Sequence, residues 1–104
     1  VGPVWQGGRK HEDKLLGSAY SAALQRAEDG ALKTIAFPSI STGIYGYPLD
    51  QAAEVALGAV LSHLRWETQL EEVVFVLFSD SDYKVYEKQL GQLAKSEGDL
   101  VKVD

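Results

Sequence analysis

The run Val73-Val74-Phe75-Val76-Leu77-Phe78 constrains the fold more than any other stretch of the chain. It is unbroken, rich in β-branched and aromatic residues, and too short for a buried helix. That combination predicts a strand covered on both faces, as in a parallel sheet under helices. Glu71-Glu72 leads into it, and Ser79-Asp80-Ser81-Asp82 leaves it as a dense helix-capping signal.

The rest of the chain repeats the theme. Thr34-Ile35-Ala36-Phe37 is a second short apolar strand, stopped by Pro38. Between about His11 and Glu28, Leu15, Leu16, Ala19, Tyr20, Ala23, Leu24 and Ala27 fall on one helical stripe, and Asp29-Gly30 ends it. A second helix is predicted from Pro48, placed as a first helical residue, to Arg65, burying Leu49, Ala53, Ala56, Val60 and Leu64. A third follows Asp82, with Tyr83, Tyr86, Leu90 and Leu93 inward. Val1–Trp5 is apolar but interrupted by Pro3, which reads as an edge strand, a strand end or an extended arm. Strand and helix alternate throughout. The expected fold class is therefore α/β, with parallel strands and right-handed crossovers. Residues 1–94 form one domain in this reading, and 95–104 a loose polar tail.

Composition excludes several classes. The net charge is −5, with ten basic residues scattered among fifteen acidic ones, which argues against a groove for duplex nucleic acid. No apolar run approaches a membrane span, so no membrane partner is expected and a cytoplasmic location is the default. The chain has no cysteine, which removes disulfides and thiolate metal sites. His11-Glu12-Asp13 fails the His-Glu-x-x-His pattern because position 15 is Leu, and no Walker pattern exists. No metal and no cofactor is expected. His63 reads as a surface or flank position, and Asp80 and Asp82 as helix-capping residues.

In a parallel α/β sheet the strand-to-helix loops share the carboxyl rim, where ligands bind. Three loops lie there: Gln6–Lys10, Pro38–Tyr47 and Phe78–Asp82. The middle one, SISTGIYGY, is the informative one. Gly43 and Gly46 allow positive φ and close approach of backbone to a ligand. Successive amides in such a turn can form an anion nest. The helix at Pro48 adds unpaired donors, and Ser41 and Thr42 offer hydroxyls at the same mouth. A phosphate could be held here without Lys or Arg. From composition alone, a tight connection that merely needs two glycines reads the same.

The stretch Phe37-Pro38-Ser39-Ile40-Ser41-Thr42-Gly43-Ile44-Tyr45-Gly46-Tyr47-Pro48 resembles the second ligand loop of the macrodomain family, closest to its MacroD-like branch of O-acetyl-ADP-ribose deacetylases and mono-ADP-ribosyl hydrolases. Val1–Trp5 resembles the strand before that family's central helix, and Gly7-Gly8 with His11-Glu12 the loop after it. The likeness extends to about Leu93. It implies a three-layer α/β/α fold binding ADP-ribose or an ADP-ribosylated substrate. By position, Ser41, Thr42, Gly43, Ile44 and Tyr45 would wrap the diphosphate, Tyr45 and Gly46 would lie beside the distal ribose, His11 would border it, and Phe78 would stack on adenine. Phe78 also stands on the rim by its place at a strand end, where a plain packing role is the alternative.

The family's amino-terminal features find no match: an adenine-reading Asp, an Asn-Ala-Asn segment, and a Gly-rich loop with a catalytic Asp. The chain is thus expected to be the carboxyl-terminal part of such a domain, without its amino-terminal strands and helix, and its catalytic residues are unknown. Three functions follow. One is a hydrolase of O-acetyl-ADP-ribose or mono-ADP-ribosyl esters, when complete, using water and no metal. The second is a non-catalytic reader of ADP-ribose, and the third an inactive fragment. A half-domain leaves an open edge and apolar surface, which predicts self-association or instability; sedimentation as a soluble, folded monomer would refute that.

Overall fold

The computed structural model describes residues 2–43, 45–65, 68–77, 79–93 and 101–103. In chain order these form α1 (Glu12–Asp29), β1 (Thr34–Phe37), α2 (Leu49–Leu64), β2 (Glu72–Phe75), α3 (Asp80–Leu93) and β3 (Val101–Val103). The strands are parallel in the order β1-β2-β3, with Thr34 opposite Glu72, Phe37 opposite Phe75, and Phe75 opposite Val103. The predicted α/β class and parallel pairing therefore stand.

Phe37 and Phe75 share one face of the sheet, their ring centroids 5.7 Å apart. Tyr20 of α1 packs on both, at 5.0 and 6.0 Å. Tyr86 of α3 meets Phe75 from its other side at 5.2 Å. Helix α2 lies between α1 and α3. All three helices thus cover the same face, and four buried aromatic rings form the centre of the core. Thr34 and Ala36, on the opposite face, are exposed. Of the three layers implied by the family resemblance, the described residues supply the sheet and one helical layer.

This one-sided cover explains how β2 departs from expectation. Burial alternates along it, with Val73 and Phe75 inside and Glu72 and Val74 half-buried. Regular pairing ends at Phe75, and Val76 beyond it is 57% exposed, although its N–H still donates to the Phe37 carbonyl at 2.8 Å. Continuous hydrophobicity predicted burial on both faces; helices among the described residues fill only one.

The helical stripes shift for the same kind of reason. In α1 the buried line is Leu16, Tyr20, Leu24 and Ala27, while Leu15 lies at the stripe's edge and is 53% exposed. In α2 the buried set is Ala52, Ala53, Ala56, Leu57, Val60 and Leu61. Leu49 and Leu64 are only half-buried at the helix ends. A helix flanked on two sides buries a broader arc than one stripe, which is why Ala52, Leu57 and Leu61 were not anticipated. Pro48 is the N-cap of α2 rather than its first helical residue. Within the expected polar tail, Val101–Val103 pairs with β2 as a third strand. Its Val-Lys-Val alternation is a strand pattern too short to outweigh the polar residues before it.

At the pole away from the rim, α1 and α2 are clasped by Glu28. Its Oε2 lies 2.6 Å from His63 Nε2 and accepts the Thr68 hydroxyl, so His63 is a partnered flank residue. The Thr68 hydroxyl bond holds the Glu28 carboxyl below its ordinary value; burial opposes this, and His63 and the Gln69 amide reinforce it. Among the described residues no helix is long and apolar enough to cross a membrane.

Candidate anion-binding cleft at the carboxyl edge

The chain leaves β1 at Pro38 and returns into α2 at Pro48. Two internal bonds close the loop between them. Gly46 N–H donates to the Gly43 carbonyl at 3.0 Å, and Tyr47 N–H donates to the Ser41 carbonyl at 2.9 Å. Among the described residues of the turn, positive φ falls at Gly46 (φ 74) and Ser41 (φ 69). Gly43, expected to share this role, does not have positive φ. Its contribution is space: a Cβ there would meet nothing within 4 Å.

A cleft of about 710 Å³ opens beside this loop. Pro38, Ser39, Thr42 and Gly43 form one wall. Val76, Leu77 and Ser79, from the exit of β2, form the other with Asp82 of α3. Ser79 caps α3, its Oγ accepting the Asp82 N–H at 3.2 Å, so the capping expected of the aspartates falls to a serine. Among the described residues, no lysine or arginine lines the cleft. Among the described residues, the N–H groups of Ser41, Gly43 and Tyr45 have no intramolecular acceptor. An orphaned amide costs free energy unless water or a ligand takes it.

The predicted site residues separate accordingly. Thr42 and Gly43 line the cleft. Ser41 is not among the lining residues: its Oγ is buried, points at Gly2 and has no partner. The Thr42 hydroxyl is turned inward, 2.9 Å from Ser39 Oγ and 3.1 Å from the Ser39 carbonyl. The expected pair of hydroxyl donors at the mouth is therefore not free. The Gly46 amide is consumed within the turn. Tyr45 is 39% exposed, and its carbonyl accepts the Trp5 N–H at 2.8 Å, which makes residues 2–5 an arm laid along the loop. Ile44 and Phe78 lie outside the described residues, although Leu77 and Ser79, which flank Phe78, both line the cleft.

The start of α2 opens elsewhere. Tyr47 and Gln51 line a second cavity, of about 210 Å³, with Trp5, Gly8 and Asp13. The helix tip expected to face the anion thus borders a different space. Burial, with the nearby carboxylates of Asp13 and Glu12, pushes the Tyr47 hydroxyl above its ordinary value.

Glu12 was not anticipated in its observed role. It is the one buried charged residue among those described, and its carboxylate fills a backbone cradle. Oε2 accepts the N–H of Gln6 at 2.8 Å and of Gly8 at 2.9 Å, while Oε1 accepts the N–H of Lys10 at 2.5 Å. Gly7 (φ 80), Gly8 (φ 82) and His11 (φ 57) turn the loop so that these amides converge. Burial alone would raise the carboxyl's pKa, but the surrounding amides together bring it below the ordinary value. His11 itself is exposed and makes no side-chain cap.

The Macro domain family model matches residues 1–56. A Macro domain-containing protein of Caldanaerobacter subterraneus is 53% identical over 95 residues, which cover 91% of this chain and 54% of that protein. An O-acetyl-ADP-ribose deacetylase of Cronobacter sakazakii is 41% identical over 98 residues, covering 94% and 54%. Among solved structures, a mutant of the Oceanobacillus iheyensis macrodomain with ADPR superposes at a TM-score of 0.85 with 40% identity, covering 92% of this chain and 51% of that one. A Trypanosoma brucei macrodomain in complex with ADP-ribose gives 0.79 and 36%, covering 88% and 38%. The chain spans about half the length of the curated relatives it matches.

Proposed function

The chain belongs to the macrodomain family, and from that membership we propose that its carboxyl-edge cleft binds ADP-ribose, with the diphosphate on the amides of residues 41–43. The observation that carries this reading is the set of acceptor-free N–H groups at and beside Gly43, in a cleft with no cationic side chain among its described lining residues. Such a wall favours a compact anion over water through several aligned dipoles. The cleft's volume of about 710 Å³ lies in the range of nucleotide-sized ligands. Phe78, carried over by position, would provide the adenine face, and Tyr45 and Gly46 would flank the distal ribose. The ADPR- and ADP-ribose-bound relatives support the choice of ligand.

We propose further that, in a chain of its relatives' full length, this wall presents an ester at the distal ribose for hydrolysis by water. The deacetylases among the relatives support that class of reaction. The groups that activate water would come from outside these 104 residues. Calorimetry of the chain with ADP-ribose tests the binding step: saturable heat displaced by inorganic pyrophosphate is expected, and no heat at millimolar ligand would sink it. Release of acetate from O-acetyl-ADP-ribose by a chain of full family length tests the second step.

A further inference from the structure

Hydroxyl groups rising from the core hold the first half of the ligand loop. Tyr20 is buried, and its OH accepts the Ile40 N–H at 3.1 Å and donates to the Pro38 carbonyl at 3.3 Å. Tyr86, equally buried, brings its OH to 3.0 Å from Ser39 Oγ. Ser39 Oγ in turn accepts the Thr42 hydroxyl at 2.9 Å. A line of polar contacts thus runs from the aromatic core to the middle of the cradle.

The rings fix where these hydroxyls stand. Tyr20 is wedged edge-on against Phe37, and Tyr86 lies on Phe75. A Tyr has only two side-chain torsions, and close packing leaves both little freedom. Burial pushes both hydroxyls above the ordinary tyrosine value, Tyr20 well above it, so they stay protonated and able to donate. Tyr86 also belongs to α3, the helix that contributes Asp82 to the facing wall of the cleft.

We infer that Tyr20 and Tyr86 are positioning residues for the anion loop, and that Tyr86, through Ser39 and Thr42, ties that loop to the opposite wall. The hydroxyls aim the amides of residues 41–43 without touching the ligand themselves. The ligand part of this inference rests on the reading above; the loop-positioning part does not.

A double-mutant cycle separates positioning from packing. Tyr86→Phe and Ser39→Ala each interrupt the same line. Each is expected to weaken ADP-ribose and pyrophosphate binding about fivefold, and the double variant no further than either alone. Leu24→Ala, in the buried stripe of α1, is expected to lower stability while leaving the affinity of the folded protein unchanged. Additive losses in the cycle, or unchanged affinity in folded Tyr86→Phe and Ser39→Ala, overturn the coupling. A second readout needs no ligand. Tyr20→Phe removes the acceptor of the Ile40 amide, whose hydrogen exchange should accelerate about tenfold relative to the global rate. Unchanged exchange there overturns the positioning role, even if the wild-type chain binds neither probe and the nucleotide reading alone has failed.

Discussion

Glu12 and Gly8 are joined by a bond of 2.9 Å in which a buried carboxylate oxygen accepts a backbone N–H from a turn with φ 82. The loop before α1 is therefore folded around its own anion. Glu12→Gln replaces one acceptor with an NH₂ group that faces N–H donors and cannot bond them. We expect its Tm to fall by at least about 4 °C, scaled from the cost of unsatisfied buried donors. Thermal unfolding followed by circular dichroism checks this, and an unchanged Tm contradicts the cradle.

The same carboxylate gives the fold a pH dependence of predictable sign. Glu12 and Glu28 both titrate below the ordinary value of 4.5 in the folded state. A depressed carboxyl contributes stability that is present above its unfolded value and lost as pH falls through the folded one. Stability should thus be flat above about pH 5.5 and decline as acid is added below the ordinary glutamate range. Urea unfolding at a series of pH values checks this. Glu12→Gln should flatten the acid limb, and a limb unchanged in that variant removes Glu12 as a cause.

The two loop glycines should answer differently to the same substitution. Gly46→Ala forces a side chain into positive φ, at a cost of about 1 kcal/mol in stability, with open space offering no relief. Gly43→Ala meets no neighbour and carries no such strain, so it should leave Tm unchanged. Its methyl group enters the cleft wall, and ADP-ribose affinity should fall about tenfold by excluding the phosphate from the amides. Paired melting and calorimetry read both effects, and equal loss of stability in the two variants would contradict the assigned roles.

Ser41 combines positive φ with a buried, unpartnered hydroxyl. Both features cost stability. Ser41→Gly relieves both, and part of that gain is offset by a more flexible unfolded chain. A net rise of about 1 kcal/mol is expected from chemical denaturation. A fall would mean that the hydroxyl has a stabilising partner.

Affinity built on amides should be insensitive to salt. Among the described residues the cleft lining offers no cationic side chain, and the chain as a whole is acidic. Raising salt from roughly 50 mM to roughly 500 mM should change the ADP-ribose dissociation constant less than about threefold. A loss of tenfold or more would reveal lysine or arginine contacts.

Much of this architecture could be read from apolar spacing alone. Leu16 and Leu24, and Ala53 and Val60, are buried where helical periodicity placed them, and Val73 and Phe75 lie in the run whose unbroken apolarity marked a strand, though it did not foretell their alternation. The place of the loop after β1 on the carboxyl rim was legible from its position after a strand, and its likeness to a macrodomain ligand loop from the whole motif rather than from its glycines. Its conformation was not. Ser41 rather than Gly43 takes the left-handed turn, since the bonds closing the loop depend on Tyr47 and Gly46. Glu12 stood in view but unread, because Gln6, Gly8 and Lys10 converge on it only after three residues adopt positive φ. Tyr20 and Tyr86 looked like apolar stripe, and their hydroxyls gain meaning from a loop distant in sequence.

The alanines of α2 draw the last consequence. Ala52, Ala53 and Ala56 are buried on the helix that separates α1 from α3, so methyl groups set the spacing of its neighbours. Overfilled cores push their surroundings outward. A larger residue on that seam would displace the two tyrosine oxygens from opposite sides and spread the cradle they support. Larger residues at the back of the molecule should therefore be felt at the cleft on its front, and a conditional, heat-sensitive distortion of that loop is the phenotype to look for there.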